Sequence, residues 1–374
     1  MKRRRLLRAA LWTLAALVVL GAVAIGATVA SIEYRCSADV AGNQVPAPAA
    51  ALPSLVAAPP AGYRRPEVDS FLSYPEWFIV HAYEDLAALL ATGNESDFGY
   101  RSSVAGYWRS LCRLNRVAAA YGGDQGDTKL MLYTIGFSFT LELAAKGAYE
   151  TTLGHLAETL RGPRKTAIDL HLAEVAQRYA VFLQRTPWYQ FDFGREIGAL
   201  WQAEAADDDA MIRHWERRLA MSVEFGAKAL YAQLIGAAAG SLGPVDRTTL
   251  AVFAADTPAV LDAWLATSGA EVIERLAPGQ VLVRSERYRP FTHLLLAALD
   301  AGVQPLEVAG NRRALVTVLA ATDQLPNTRV LFTVPLSAQA PRQRLGIDTR
   351  MEELHTLLAA VRAAGGQFEH LYDY

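Results

Sequence analysis

Hydrophobic and polar positions divide the chain into four regimes. Residues 9–30 carry no charge and are mostly Ala, Leu, Val and Ile, directly after Lys2, Arg3, Arg4, Arg5 and Arg8. At about 1.5 Å rise per residue such a helix is roughly 33 Å long, enough to cross a hydrocarbon core of about 30 Å. The basic flank predicts a cytoplasmic tail at residues 1–8 and places the rest outside the cytoplasm. The alternative is a cleaved signal peptide, with Thr28-Val29-Ala30 as the small-residue site. The apolar run exceeds the ~7–15 residues of a signal, which favours a retained anchor.

Residues 31–66 are rich in alanine and proline (Pro46, Pro48, Pro53, Pro59, Pro60, Pro66). Proline denies helix continuity, so the segment reads as an extended, solvated linker, a stalk between bilayer and folded part.

Residues 67–243 read as an all-α domain. Pro75 suits the first turn of a helix carrying Trp77, Phe78, Ile79, Val80, Tyr83, Leu86, Leu89 and Leu90, ending near Gly93-Asn94. Further helices are predicted over 100–121, 127–160, 166–184, 193–203 and 208–239, with breaks at Gly122-Gly123, Gly162-Pro163 and Thr186-Pro187. The stretch from Leu130 to Ala145 is apolar, but it is short between Lys129 and Lys146 and contains Glu142. It reads as a buried core helix rather than a second span.

Residues 245–374 change to short β-branched runs. Strands are predicted at 249–254, 271–276, 280–285, 304–309, 314–320, 329–335 and 367–372, with helices at 258–267, 290–301 and 351–364. Strand, helix, strand, strand, helix, strand is the order of a ferredoxin-like α/β domain, here with added strands. An internal echo sets Val281–Val283, His293–Ala298 and Pro305–Val308 beside Val330–Phe332, His355–Ala360 and Phe368–Leu371. It suggests two similar halves. The predicted fold class is α+β: an N-terminal transmembrane helix, an Ala/Pro linker, a helical domain and a C-terminal ferredoxin-like α/β domain.

At 52% hydrophobic and 20% charged, the 374 residues have the profile of a folded chain. The net charge of −2 hides an asymmetry. The first 35 residues hold six basic residues and one acid, leaving 30 basic and 37 acidic residues beyond, a net of −7. So acidic a body has no general attraction for phosphate backbones, which argues against nucleic acid. The expected partners are the lipid bilayer and other envelope proteins. Cys36 and Cys112 are the only cysteines, both on the exported side. One disulfide or two free thiols are both consistent with their spacing.

The sharpest local pattern is E-x4-H-x2-E, found as Glu76, His81, Glu84 and again as Glu150, His155, Glu158. At about 100° per residue each set covers one broad helix face. Two such faces meeting in a bundle would supply the imidazoles and carboxylates of a transition-metal site. Against this, acids are abundant, and His171 and Glu174 repeat the three-residue spacing incidentally. Solvated faces are the simpler reading.

Aromatic turns form a second feature, with Trp77 after Pro75, and Trp188 and Tyr189 after Pro187. Rings beside prolines usually pin helix corners. The functional alternative is an aromatic cleft in which Glu76, Trp77, Trp188, Tyr189 and Asp192 bind a ligand. Arg213, Arg217 and Arg218 form a basic patch that reads as a solvated face with ion pairs to Asp209 or Glu216. No GxxxxGK[ST], G-x-G-x-x-G after a strand, HExxH, GxSxG or CxxC occurs, so common nucleotide, zincin, hydrolase and thioredoxin chemistries lack their motifs.

The segments Ser73-Tyr74-Pro75-Glu76-Trp77-Phe78-Ile79-Val80, Gly147-Ala148-Tyr149-Glu150, Thr186-Pro187-Trp188-Tyr189 and Glu369-His370-Leu371-Tyr372-Asp373-Tyr374 resemble landmarks of an uncharacterised group of bacterial single-pass membrane-anchored proteins. The resemblance implies a bacterial envelope protein at the inner membrane and names no activity or cofactor. The expected work is binding or assembly at the outer face of that membrane. The alternatives are a metal-dependent enzyme using the Glu/His sets, and a small-ligand sensor acting through the C-terminal module.

Overall fold

A computed structural model describes residues 12, 21, 23–36, 54–60, 63, 72–121, 126–203, 210–240, 248–336 and 341–372. It is α+β, with a helical region followed by an antiparallel sheet domain. Much of the expected anchor lies outside the described residues. Among the described residues no helix is long and apolar enough to cross a membrane. Residues 23–30 are helical and continue into a π turn at Ser31–Arg35.

The helical region contains α1 (Ser73–Thr92), α2 (Tyr100–Tyr121), α3 (Gly126–Tyr149), α4 (His155–Arg161), α5 (Ala167–Leu183), α6 (Phe193–Gln202) and α7 (Met211–Gly240). A π turn at Glu150–Gly154 joins α3 to α4, so the predicted rod over 127–160 is continuous but not uniformly α. The ends follow local chemistry. Thr166 caps α5 by accepting from the Asp169 amide while Asp169 reaches back, a reciprocal cap. Asp192 accepts from the Arg195 amide at the start of α6.

The sheet domain runs β1 (Thr248–Ala254), α8 (Pro258–Ser268), β2 (Glu271–Ala277), β3 (Gln280–Glu286), α9 (Arg289–Asp300), β4 (Gln304–Val308), β5 (Arg313–Ala320), β6 (Arg329–Pro335), β7 (Gln343–Arg350), α10 (Leu354–Ala363) and β8 (Gln367–Leu371). They form two four-stranded antiparallel sheets, ordered β2-β3-β1-β4 and β6-β7-β5-β8. The two orders are the same permutation of successive strands. Each sheet also carries a register shift between its first and last strands, Val252/Phe253 against β4 and Thr317/Val318 against β8.

The internal echo is thus structural, with one correction. The strand equivalent to β3 is β7, not the run at 330–332, because Val252 pairs with Leu282 and its counterpart Thr317 pairs with Gly346. The sequence reading missed β7. Its Arg344, Gly346 and Asp348 alternate with Leu345 and Ile347, the period-2 pattern of a strand whose two faces differ.

One core lies between the sheets, joining Ala251, Phe253, Val281 and Val283 to Val316, Val318, Leu345 and Ile347 through α8, α9 and α10. The outer faces are covered differently. Val56 and Tyr63 pack on Leu250, Val252 and Leu282 of the first sheet. Leu315, Phe332 and Tyr372 of the second join the core of the helical region. Gly346 lets that face close, since a Cβ there would overlap the Phe332 ring.

Three sequence expectations change here. The linker is not a fully solvated stalk. Val56 and Tyr63 are buried, and Ser54 Oγ, the Leu55 amide and Tyr63 Oη all donate to Glu307. An apolar sheet face without a helical cover buries whatever chain lies near it. Nor is the folded part held off by a spacer. Ile32 is buried in the helical core, and Cys36 is disulfide-bonded to Cys112 with Cα atoms 5.1 Å apart. Finally, the Leu130–Ala145 helix is only half buried, with Leu130, Met131 and Leu141 exposed.

Candidate functional site

A buried polar cluster that joins the helical region to the sheet domain sits where α1 meets β8. Trp77, His81 and Glu84 are spaced i, i+4 and i+7, so α1 presents them on one face. Opposite lies the register shift of β8. His370 pairs with Thr317 and Phe368 with Val318, which leaves Glu369 as the extra residue of a β-bulge. A bulge breaks strict alternation and re-aims side chains. Here both Glu369 and His370 meet side chains of α1.

His81 is fully buried. Its Nδ1 lies 2.8 Å from Glu84 Oε2 and 3.7 Å from Glu369 Oε1, and its Nε2 is 2.8 Å from Tyr372 Oη. Tyr372 Oη is 3.0 Å from Thr317 Oγ1. Arg344 of β7 donates to both oxygens of Glu369, at 2.6 and 2.8 Å. Arg289 of α9 donates to Glu84 at 2.6 Å and to the Glu369 carbonyl at 2.8 Å, and Gln184 adds a 2.7 Å bond to Glu84. The Trp77 ring lies over His370, centroids 3.8 Å apart, and Thr292 Oγ1 is 2.7 Å from His370 Nδ1.

These groups perturb one another. Burial alone would raise Glu369, but Arg344 and then His81 outweigh it and hold the carboxyl far below its ordinary value. Glu84 is also lowered, with His81 and Arg289 overcoming its burial. Burial, reinforced by Arg289 and His81, drives His370 well below the ordinary imidazole value, so it is neutral. Asp85, one residue beyond Glu84, is pushed up to about 6 by burial, against the pull of Arg344.

His81, Glu84 and Glu369 each offer a donor atom, and these atoms lie within 4.8 Å of one another, a separation a metal ion could bridge. The chemistry fits a proton-ordered ion-pair junction better. Glu369 is doubly held by Arg344, Glu84 is held by Arg289, and both His81 nitrogens have partners. A cation would have to enter beside two guanidinium groups.

The two predicted Glu/His sets do not meet. Glu76 is exposed while His81 and Glu84 enter the junction. Glu150 is buried against Arg217, whose Nη1 lies 2.9 Å from it, and Glu158 is buried against Arg213 at 3.3 Å. His155 is exposed, with Ser96 Oγ 3.4 Å from its Nδ1. The π turn at Glu150–Gly154 changes the angular phase of the rod, so the face expected at 100° per residue is split.

The aromatic candidates separate as well. Trp77 is buried at the junction, Trp188 packs on Tyr231 at 5.2 Å, and Asp192 is spent on its helix cap. Tyr189 is half-buried beside Trp188. A cavity of about 40 Å³ in the helical region has neither these four nor Glu76 in its lining. Tyr83, Glu95, Lys146, Tyr179, Glu224 and Lys228 give it polar walls, with room for a water or two.

Arg213, Arg217 and Arg218 correct a further expectation, because all three are buried rather than solvated. Arg217 pairs with Glu95, Glu150 and Glu216, and Arg213 with Glu158, Asp169 and Glu216. The chain of charges continues through Lys146 to Glu95 and Glu224, and through Lys228 to Glu224 and Glu142. Glu95, Glu150, Glu158 and Asp169 come from other elements, and these buried carboxylates draw the two arginines inward as their partners.

Arg344, Glu369, Tyr372, Arg289 and Gln184 were not among the predicted site residues. Arg344 was hidden by the missed strand, whose alternation was the available signal. The described parts of two landmark segments, 73–80 and 369–372, do pack together, with Tyr74 and Tyr372 rings 5.4 Å apart. A scan against protein-family models and a search of curated proteins found no match for this chain.

Proposed function

We propose that this chain is a single-pass envelope protein, N-terminus in the cytoplasm, whose work is binding or assembly at the outer face of the inner membrane. The observation that carries the reading is the pairing of its only two cysteines, Cys36 with Cys112, immediately beyond the apolar segment. Disulfides persist in oxidising compartments, and the basic residues before the segment predict export of the residues after it. Ile32, Glu33 and Cys36 all engage the helical region, which supports a domain seated close to an anchor at residues 9–30.

The two sheet halves are read as ferredoxin-like units, supported by their shared strand order and shared register shift. A binding role agrees with a junction whose charged groups are paired to each other, Glu369 with Arg344 and Glu84 with Arg289.

Topology is tested by fusing alkaline phosphatase or β-galactosidase after Tyr374. Activity of the phosphatase fusion alone is expected. A β-galactosidase fusion active in its place overturns the reading. Independently, Cys36 and Cys112 should resist maleimide labelling in intact cells until a reductant is added.

A further inference from the structure

Helix α7 has its polarity reversed. Its charged residues, Arg213, Glu216, Arg217, Arg218, Glu224 and Lys228, are all buried or mostly buried. The side turned outward carries Ile212, Trp215, Leu219, Val223, Leu230 and Leu234, with Leu219 56% and Val223 75% exposed. These recur every three, four or seven residues, so they form one stripe. The neighbouring rod of α3, the π turn and α4 repeats the arrangement. Leu141, Leu153, Leu156 and Leu160 face out, while Lys146, Glu150 and Glu158 face in.

Two other described helices turn charges outward. Helix α2 presents Arg101, Arg109 and Arg113 outward, and α5 presents Glu174, Gln177 and Arg178. Water favours the second arrangement and an apolar medium the first. Charges packed inward against opposite charges, with aliphatic side chains outward, suit a face that meets hydrocarbon.

Three observations choose lipid as the occupant. Glu33, three residues past the end of the apolar run, is 3.1 Å from Lys129 Nζ and 2.6 Å from Tyr133 Oη, so the first turn of α3 stands next to that run. Leu130 and Met131 are exposed in the same turn. At the other end of the face, Trp201 and Trp215 lie 6.2 Å apart with the Arg218 guanidinium 5.3 Å over each ring. Tryptophan beside a cation is characteristic of the membrane interface.

We propose that the outward face of α7 and of the α3–α4 rod is a lipid-docking surface, seated on the outer leaflet of the bilayer that holds residues 9–30. The proposal rests on the anchored reading of the chain. Ion pairs behind the face hold Arg213, Glu216, Arg217, Glu224 and Lys228 off the lipid, while Arg218 stays with the tryptophan pair at its end.

The test uses the full chain reconstituted in phosphatidylcholine and phosphatidylglycerol vesicles containing nitroxide-labelled lipid. Single thiols at Leu219→Cys, Leu230→Cys and Gln177→Cys carry a fluorophore, the last on α5 as control. At least twofold stronger quenching at 219 and 230 than at 177 is expected. A double variant, Leu219→Asp with Leu230→Asp, should keep its denaturation midpoint and abolish the quenching of a probe at Val223→Cys. Equal quenching at all three positions overturns the proposal. So does oxidative capture of a covalent dimer through Val223→Cys, which would make a second copy the occupant. If the chain is washed off the vesicles at alkaline pH, the anchored reading fails. If it stays bound with 219 and 230 unquenched, only the docking surface fails.

Discussion

The two halves of the sheet domain share a strand order and a bulge in the same place, yet they bury different things. In the first half the bulge residue is Leu306, followed by Glu307, and Ser54, Leu55, Val56 and Tyr63 cover them. In the second half the bulge residue is Glu369, followed by His370, and α1 covers them. The same backbone irregularity therefore aims two consecutive side chains outward in each half, and the residues placed there decide the partner. An aliphatic residue and a lone carboxylate hold a short peptide through three donors. A carboxylate beside an imidazole, backed by Arg344, holds a helix through a network that reaches Glu84, Arg289 and Tyr372. A network of this kind makes the second half depend on the helical region in a way the first half does not.

The comparison breaks most sharply at Arg344. Arg344→Met leaves the Glu369 carboxylate buried with only His81 to oppose it, and loss of one partner of a buried pair costs about 3–5 kcal/mol. Urea denaturation should show that loss. Unfolding should remain a single transition if α1 and the second half melt together. Two separated transitions would show that the junction does not couple them.

Asp85 supplies a smaller effect with a definite sign. Its carboxyl ionises near 3.8 when unfolded and at about 6 when folded. Between those values the unfolded chain releases its proton first, so stability falls as pH rises, by up to about 3 kcal/mol. Asp85→Asn should match the parent chain near pH 4 and exceed it at pH 7. Glu369 works the other way. Its folded value is depressed, so its stabilisation is present above the ordinary carboxyl value and is lost as pH falls through the folded one. Denaturation midpoints of both chains from pH 4 to 8 isolate the Asp85 contribution, and continuing the parent chain below pH 4 reads that of Glu369.

Glu307→Ala gives the smallest effect, about 1–3 kcal/mol from three donors left without their acceptor. It should free residues 54–63 for proteolysis while the global midpoint moves little. A midpoint loss as large as that of Arg344→Met would erase the distinction between the two covers.

Much of the local structure was legible. Pro258 after Thr257 marks the start of α8, and Gly269, in a left-handed conformation, marks its end. The Thr166–Asp169 pair signals α5, whereas of the predicted 76, 81, 84 face only His81 and Glu84 turn into the junction. The candidate site was legible only in part. His81 and Glu84 could be named, but not Glu369, nearly three hundred residues away, nor Arg344 on a strand whose inward residues are only Leu345 and Ile347. The 150–158 set failed because a π turn is a tertiary accommodation. Gly154 leaves room there for the Glu150 carboxylate beside Arg217, and no spacing rule anticipates it.

The sequence by itself determined most of the helices and strands, β7 and the π turn at Glu150–Gly154 excepted, and the apolar segment with its basic flank. Those depend on neighbours a few residues apart, through capping, periodicity and rise. Only the tertiary structure decided which charges are buried, which apolar faces are left outward, and that a bulge on β8 meets α1. Each of those depends on groups far apart in the chain satisfying one another, and a buried charge is stable only where its partner arrives.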